Sequence, residues 1–187
     1  DVEGDFIVPV QETTSEDEII VDNEDPLFSL SEPTVTGYLP KWLDKMEDTS
    51  FKYSGIMWWR SPLQWTATTN RGYYGKYVRS AYVVRSGDGS KTATWKVPVP
   101  RPGHYELYYW TFHEEVNQHR GHANGEYHFK VQYNGEEEDA YLNLQRANKE
   151  WERLGVYYLD TDTLKVVLTN ECKLRTVVAD AVRLVKR

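Results

Sequence analysis

Past Lys52 the chain alternates apolar and polar side chains at a period of two, the pattern of half-buried strands. Over 92–100, Ala93, Trp95, Val97 and Val99 share one face, while Thr94, Lys96 and Pro98 share the other. Pro100, Arg101, Pro102 and Gly103 then turn the chain. Over 104–112, Tyr105, Leu107 and Tyr109 lie on one face and Tyr108, Trp110 and Phe112 on the other. Rings on both faces mean either a central strand or one with a ligand over its second face. Over 126–133, Tyr127, Phe129, Val131 and Tyr133 point inward and His128, Lys130 and Gln132 outward, and Asn134-Gly135 follows as a hairpin signal. Further strands are expected near 19–21, 140–144, 155–159, 163–169 and 176–185. Short strands with frequent turns predict an all-β fold, an antiparallel β-sandwich. One short helix is expected over 38–48, where Pro40 suits a first turn and Trp42, Leu43 and Met46 fall on one face. The only other helix candidate is 144–153.

At 187 residues the chain fits one domain with an appendage. The charge is uneven: residues 1–40 hold eleven Asp and Glu and no Lys or Arg, while the rest is mildly basic. Residues 1–17 are therefore read as an acidic leader or linker, and 18–187 as the sandwich domain. The chain starts at Asp1 without a signal-like segment, as expected of a mature or trimmed piece. A mild basic excess without a basic cluster argues against nucleic acid. No apolar run is long enough for a membrane span. The lone Cys172 forms no disulfide within the chain and is read as a small buried hydrophobe.

Candidate chemistry is sparse. His104, His113, His119, His122 and His128 do not follow the His-Glu-x-x-His pattern, and 114–125 reads as a long polar loop. Asp22, Asn23, Glu24, Asp25 and Pro26 form a turn; their oxygens also suit a structural calcium, though the EF-hand spacing fails. Glu136, Glu137, Glu138 and Asp139 are read as a solvated hairpin tip, and Asp180, set among apolar neighbours, as a structural acid tying the last strand to a loop. No nucleophile elbow, P-loop or dinucleotide fingerprint is present, so no enzyme, no cofactor and no metal ligand are assigned.

What stands out is the rings. Five of seven tryptophans and seven of fourteen tyrosines fall between Gly55 and Trp110. Trp58 and Trp59, as neighbours, would face opposite sides of a strand. Tyr73 and Tyr74 are displayed between two glycines. An exposed flat ring suits the apolar face of a pyranose, with nearby polar groups bonding its hydroxyls.

Several short motifs, in order, carry a resemblance: Tyr74-Gly75, Ala93-Thr94-Trp95, Pro102-Gly103 with Tyr105, Trp151 with Leu154-Gly155 and Tyr157-Tyr158, and the run from Val178 to Arg183. Together with Ile19-Ile20-Val21-Asp22-Asn23 they resemble the golvesin C-terminal-like domain, which is also found in xanthan-lyase-type proteins. The resemblance covers about 18–187. It implies a jelly-roll sandwich similar to galactose-binding-like modules, carried as a non-catalytic appendage by periplasmic, secreted or cell-surface bacterial proteins that handle polysaccharides. It assigns no binding site, and the family's repeated Trp95, Gly103 and Asp180 look structural.

The expected function is a non-catalytic carbohydrate-binding module for a polysaccharide or oligosaccharide. Trp58, Trp59, Trp65, Tyr73 and Tyr74 would supply ring platforms, and Arg60, Asn70, Arg71, His113, Arg120 and His122 polar contacts. The alternative is a structural or protein-interaction sandwich in which the same rings dock a neighbouring domain or partner, since interfaces also favour Trp, Tyr and Arg. An enzyme would need a carboxylate pair or a His-metal cluster converging in a pocket.

Overall fold

The computed structural model describes residues 17–33, 52–53, 61–111, 125–147 and 150–187. Twelve strands follow in chain order: β1 (Glu18–Val21), β2 (Phe28–Ser31), β3 (Thr66–Thr69), β4 (Ser80–Arg85), β5 (Thr92–Pro98), β6 (Gly103–Thr111), β7 (Glu126–Tyr133), β8 (Glu136–Asn143), β9 (Glu150–Leu159), β10 (Thr163–Thr169), β11 (Thr176–Ala179) and β12 (Val182–Lys186). They form sheets ordered β1-β12-β6-β9, β2-β5-β10-β7-β8 and β11-β4-β3. All their pairings are antiparallel. The two larger sheets pack face to face, and their strand orders interleave as in a jelly roll.

The faces follow the alternation. Trp95 and Val97 of β5, Tyr105, Leu107 and Tyr109 of β6, and Tyr127, Phe129 and Val131 of β7 are all fully buried in one core. Rings interlock across the sandwich: Tyr109 of β6 meets Trp95 at 6.1 Å and Phe129 at 5.0 Å, both edge to face. Each such side chain contributes about 1.5–3 kcal/mol by leaving water. The buried tyrosine hydroxyls have a task. The Tyr127 hydroxyl accepts the Val178 N–H at 3.0 Å, and the Tyr109 hydroxyl donates to the Val178 carbonyl. Two core tyrosines thereby fasten β11, an edge strand of the third sheet, to the main core.

The third sheet has apolar residues on both faces. Val84, Val177 and Ala179 join the main core, whereas Ala81, Val83 and Val178 form a second cluster with Tyr73.

The structure corrects several expectations. Residues 150–153 belong to β9 rather than to a helix over 144–153. Glu136, Glu137, Glu138 and Asp139 are exposed, yet they form the first half of β8 and pair with β7. The stretch 176–185 is two strands in two different sheets, because the chain turns a corner at Asp180-Ala181. The helix expected over 38–48 lies outside the described residues, and among the described residues no helix occurs. Residues 1–16 of the leader also lie outside them.

Candidate functional site

The segment between β3 and β4 closes over one end of the β6–β9 pair. Asn70 opens it as a turn: its side-chain carbonyl accepts the Gly72 N–H at 3.1 Å and its backbone carbonyl accepts the Tyr73 N–H at 3.1 Å. Gly75 has φ +138°, and a Cβ there would lie 1.9 Å from the Val78 carbonyl oxygen, so only glycine fits. Tyr73 is buried in the second apolar cluster. Tyr74 goes the other way, its N–H donating to both Asp180 carboxylate oxygens at 3.2 and 3.3 Å. Asp180 is itself buried, and its backbone carbonyl accepts Trp95 Nε1–H at 3.1 Å. One corner residue thus ties the core tryptophan to the loop that carries Tyr74.

Tyr74 meets two tryptophans. Trp110 of β6 and Trp151 of β9 stand opposite each other in register, their rings 5.1 Å apart. The Tyr74 ring lies 5.4 Å from Trp110 and 5.2 Å from Trp151. Trp110 Nε1 donates to the Gly72 carbonyl at 2.9 Å, which pins the loop to the sheet. The Arg183 guanidinium of β12 lies 4.6 Å from the Tyr108 ring centre and 4.7 Å from that of Trp151, and donates to Glu18 at 3.2 Å.

A β-bulge makes this cluster. The β6–β9 register shifts between Leu107 and Tyr108, where Gly155 and Arg153 are successive partners and Leu154 is the extra residue. Strict alternation back from Tyr157 would aim Arg153 and Trp151 into the core. The bulge instead puts Trp151 beside Trp110 on the outer face, while Leu154 packs on the core.

Burial, followed by the negative charges of Asp22 and Glu18, pushes the Tyr74 hydroxyl above its ordinary pKa. Like any ordinary tyrosine it is a hydrogen-bond donor at neutral pH, and the shift extends this to more alkaline pH.

Beside the cluster opens a cleft of about 420 Å³. Tyr74 and Trp110 supply its aromatic surface, the 72–75 turn with Thr111 supplies backbone and hydroxyl groups, and Arg71, Lys76, Arg79 and Glu150 supply charge. Glu150 has φ 73°, a left-handed conformation uncommon for a residue with a side chain, and its carbonyl accepts the Thr111 hydroxyl at 2.9 Å. The arrangement offers ring faces, cationic donors and one carboxylate acceptor together.

Of the residues singled out from sequence, Arg71, Tyr73 and Tyr74 line this cleft. Asn70 stands next to it and shapes the turn. Two expectations need correction as platforms. Trp65 packs into the main core with 9% exposure, and Tyr73 keeps only 3% because it fills the second cluster. Trp58, Trp59, Arg60, His113, Arg120 and His122 lie outside the described residues. Sequence reasoning missed Trp151, Lys76, Arg79 and Glu150. Trp110 carried a signal, since both faces of its strand bear rings.

The remaining candidate groups are engaged in local structure. His128 Nε2 lies 2.7 Å from Asp139 and its Nδ1 3.2 Å from Glu171, with the ring stacked on Tyr141. In the acidic turn, Asp22 accepts the Asn23 N–H at 2.8 Å and Asp25 the Leu27 N–H at 2.9 Å. Glu24 binds Lys52, Tyr53 and Ser80. Among the described residues no group of three or more His, Cys, Asp or Glu is gathered to hold a metal.

Comparison with known proteins gives a family and a fold. No curated protein matches the chain by sequence. Among solved structures, a Paenibacillus xanthan lyase is 22% identical with a TM-score of 0.60, the match covering 92% of this chain and 13% of the lyase. This chain thus spans a small part of that enzyme's length, and the likeness is one of fold. A Podospora anserina GH26-CBM35 β-(1,4)-mannanase is 14% identical with a TM-score of 0.40, over 68% of this chain and 27% of that one. The CBM35 from Cellvibrio japonicus Abf62 is 14% identical with a TM-score of 0.40, over 67% and 87% respectively. The golvesin C-terminal domain matches residues 60–186, which include the loop of Tyr74, the β6–β9 pair and the Asp180 corner, and the chain belongs to that family.

Proposed function

We propose that this chain is a non-catalytic carbohydrate-binding module of an exported or cell-surface protein, with the Tyr74–Trp110 cleft as its binding site. The observation that carries this reading is the joining of ring surface and hydrogen-bonding side chains in one cleft at a sheet end. A pyranose ring would lie on Trp110 and Tyr74 while its hydroxyls meet Arg71, Arg79 and Glu150. The fold likeness to part of a xanthan lyase fits an appendage within a longer polysaccharide-handling protein. Among the described residues no helix is long and apolar enough to cross a membrane.

A second reading is docking of a neighbouring domain. It has one observation in its favour: Val156 and Tyr158 of β9 are exposed on the outer face of the four-stranded sheet.

The test is retention of the purified chain on a panel of neutral and acidic polysaccharides, with calcium and with chelator. Trp110→Ala and Tyr74→Ala should abolish a hit while the melting transition persists. Trp58→Ala and Trp59→Ala test the remaining ring candidates. Binding that survives both cleft variants moves the site elsewhere, and silence across the panel favours docking.

A further inference from the structure

The charge of the cleft narrows the class of sugar. Arg71, Lys76 and Arg79 line it and all three are exposed. Several cations elsewhere in the domain are paired: Lys52 with Glu24, Arg183 with Glu18, Arg153 and Arg187 with Glu106, and Lys130 with Glu137. These three have no such partner among the described residues. The Lys76 ammonium lies 5.5 Å from the Tyr77 ring centre. Arg79 Nη1 donates to the Arg71 carbonyl at 2.8 Å, which holds the two arginines in one turn and leaves the other guanidinium donors available. Against three cations the lining offers one acid, Glu150. Like charges gathered without counter-charges repel one another, and an anion entering between them relieves that repulsion. Arginine suits planar anions in particular, because its forked donors match a carboxylate pair of oxygens.

We propose that the cleft binds an acidic glycan, its ring against Trp110 and Tyr74 and its anionic group held by Arg71, Lys76 and Arg79. The inference rests on the carbohydrate-binding reading of the same site. A neutral sugar would use the ring surface but leave the three cations unanswered. A simple polyanion would answer the cations but make no use of the rings.

The experiment measures affinity of the full chain for polygalacturonate and for its carboxyl-reduced twin, which keeps the rings and loses the charge. Dextran and dextran sulfate, a panel of neutral polysaccharides and duplex DNA complete the set. The acidic polymer should bind at least about tenfold more tightly than the reduced one, the factor that about 1.4 kcal/mol from one charge-assisted hydrogen bond gives. Lys76→Gln, at an exposed position, should weaken only the acidic polymer, Arg71→Gln should weaken the acidic polymer more than the reduced one, and added salt should act mainly on the acidic polymer. Trp110→Ala should weaken both. Stronger binding to dextran sulfate than to polygalacturonate, still dependent on Trp110, would assign the charge to a sulfate ester instead of a uronate and leave the acidic class standing. Equal affinity for the acidic and reduced polymers overturns the acidic class but leaves the carbohydrate module intact. Binding to neither them nor any other glycan overturns both readings. Equal binding of all polyanions, DNA included and indifferent to Trp110→Ala, shows adsorption by charge alone and also overturns the proposal.

Discussion

Asp180→Ala tests whether the corner between β11 and β12 places the binding loop. The substitution leaves the backbone carbonyl that accepts Trp95 Nε1–H and removes the carboxylate that accepts the Tyr74 N–H at 3.2 and 3.3 Å. A hydrogen bond to a charged group contributes about 1.5–3 kcal/mol, and the freed N–H of half-buried Tyr74 recovers part of that from water. The lost desolvation cost of the buried carboxylate offsets some of it as well. The Tyr74 link therefore accounts for about 1–2 kcal/mol. For a chain of this length that lowers the melting temperature by about 2–8 °C. The second effect falls on the site. Without its anchor, Tyr74 loses its fixed approach to Trp110 and Trp151, and affinity for a bound glycan falls by about tenfold, as expected when a platform must be ordered on binding. Asp180→Asn keeps an acceptor and falls between wild type and Ala in both assays. Thermal melts and titration against a binding polysaccharide measure the two effects. A melting temperature within 1 °C of wild type together with unchanged affinity would refute the corner's role.

Tyr127→Phe leaves the Val178 N–H without its acceptor in a buried setting and should destabilise by about 1–3 kcal/mol, read as a lowered melting temperature. Gly155→Ala would put a Cβ 2.6 Å from the Tyr157 hydroxyl oxygen, against a ring fixed in the core, and should destabilise by about 1–3 kcal/mol in the same assay. Burial raises the Glu24 carboxyl, but hydrogen bonds from Lys52, Ser80 and Tyr53 outweigh it and hold its pKa below the ordinary 4.5. A depressed acid adds stability above its unfolded pKa and loses it as pH falls through the folded one, so melting temperatures should decline below about pH 4.5, and Glu24→Gln should flatten part of that decline. Burial, then the charges of Glu138 and Tyr133, pushes the Tyr157 hydroxyl up to about 12, a raised value whose stabilisation is full below the unfolded pKa and is lost as pH climbs through the folded one. Ultraviolet titration should show one tyrosine fewer ionising near pH 12 in Tyr157→Phe.

The strands whose periodicity is strict were legible residue by residue. β5, β6 and β7 bury the faces that alternation picks out, because each has one side on the core. Periodicity fails where a strand is short or has apolar residues on both faces. β2 and β3 span four residues each, and β4 feeds two apolar clusters at once, so neither kind gives a period-two contrast. The run from Val177 to Leu184 is apolar throughout save for Asp180 and Arg183, and nothing in such a run marks the change of sheet except the buried acid itself. The ring count overstated the exposed surface for a related reason. Tyr105, Tyr109 and Tyr127 are fully buried, with their hydroxyls on backbone groups.

The site was half legible, and the half that was missed depends on one inserted residue. Tyr74 and Arg71 could be picked out because their loop is short and glycine-bounded. Trp110 was foreshadowed by its strand's second ringed face. Trp151 could not be, because its side of β9 is set by register and not by its neighbours' polarity. Counting back from Tyr157 by twos predicts a buried Trp151, and the extra Leu154 reverses that prediction. A bulge costs a ladder position, and here the outer face receives in return a tryptophan that braces Tyr74 and stacks on Arg183. A bulge serving the core alone would have no reason to carry an aromatic residue outward. Its position beside the cleft is therefore better explained by the ring cluster than by the packing of the sandwich.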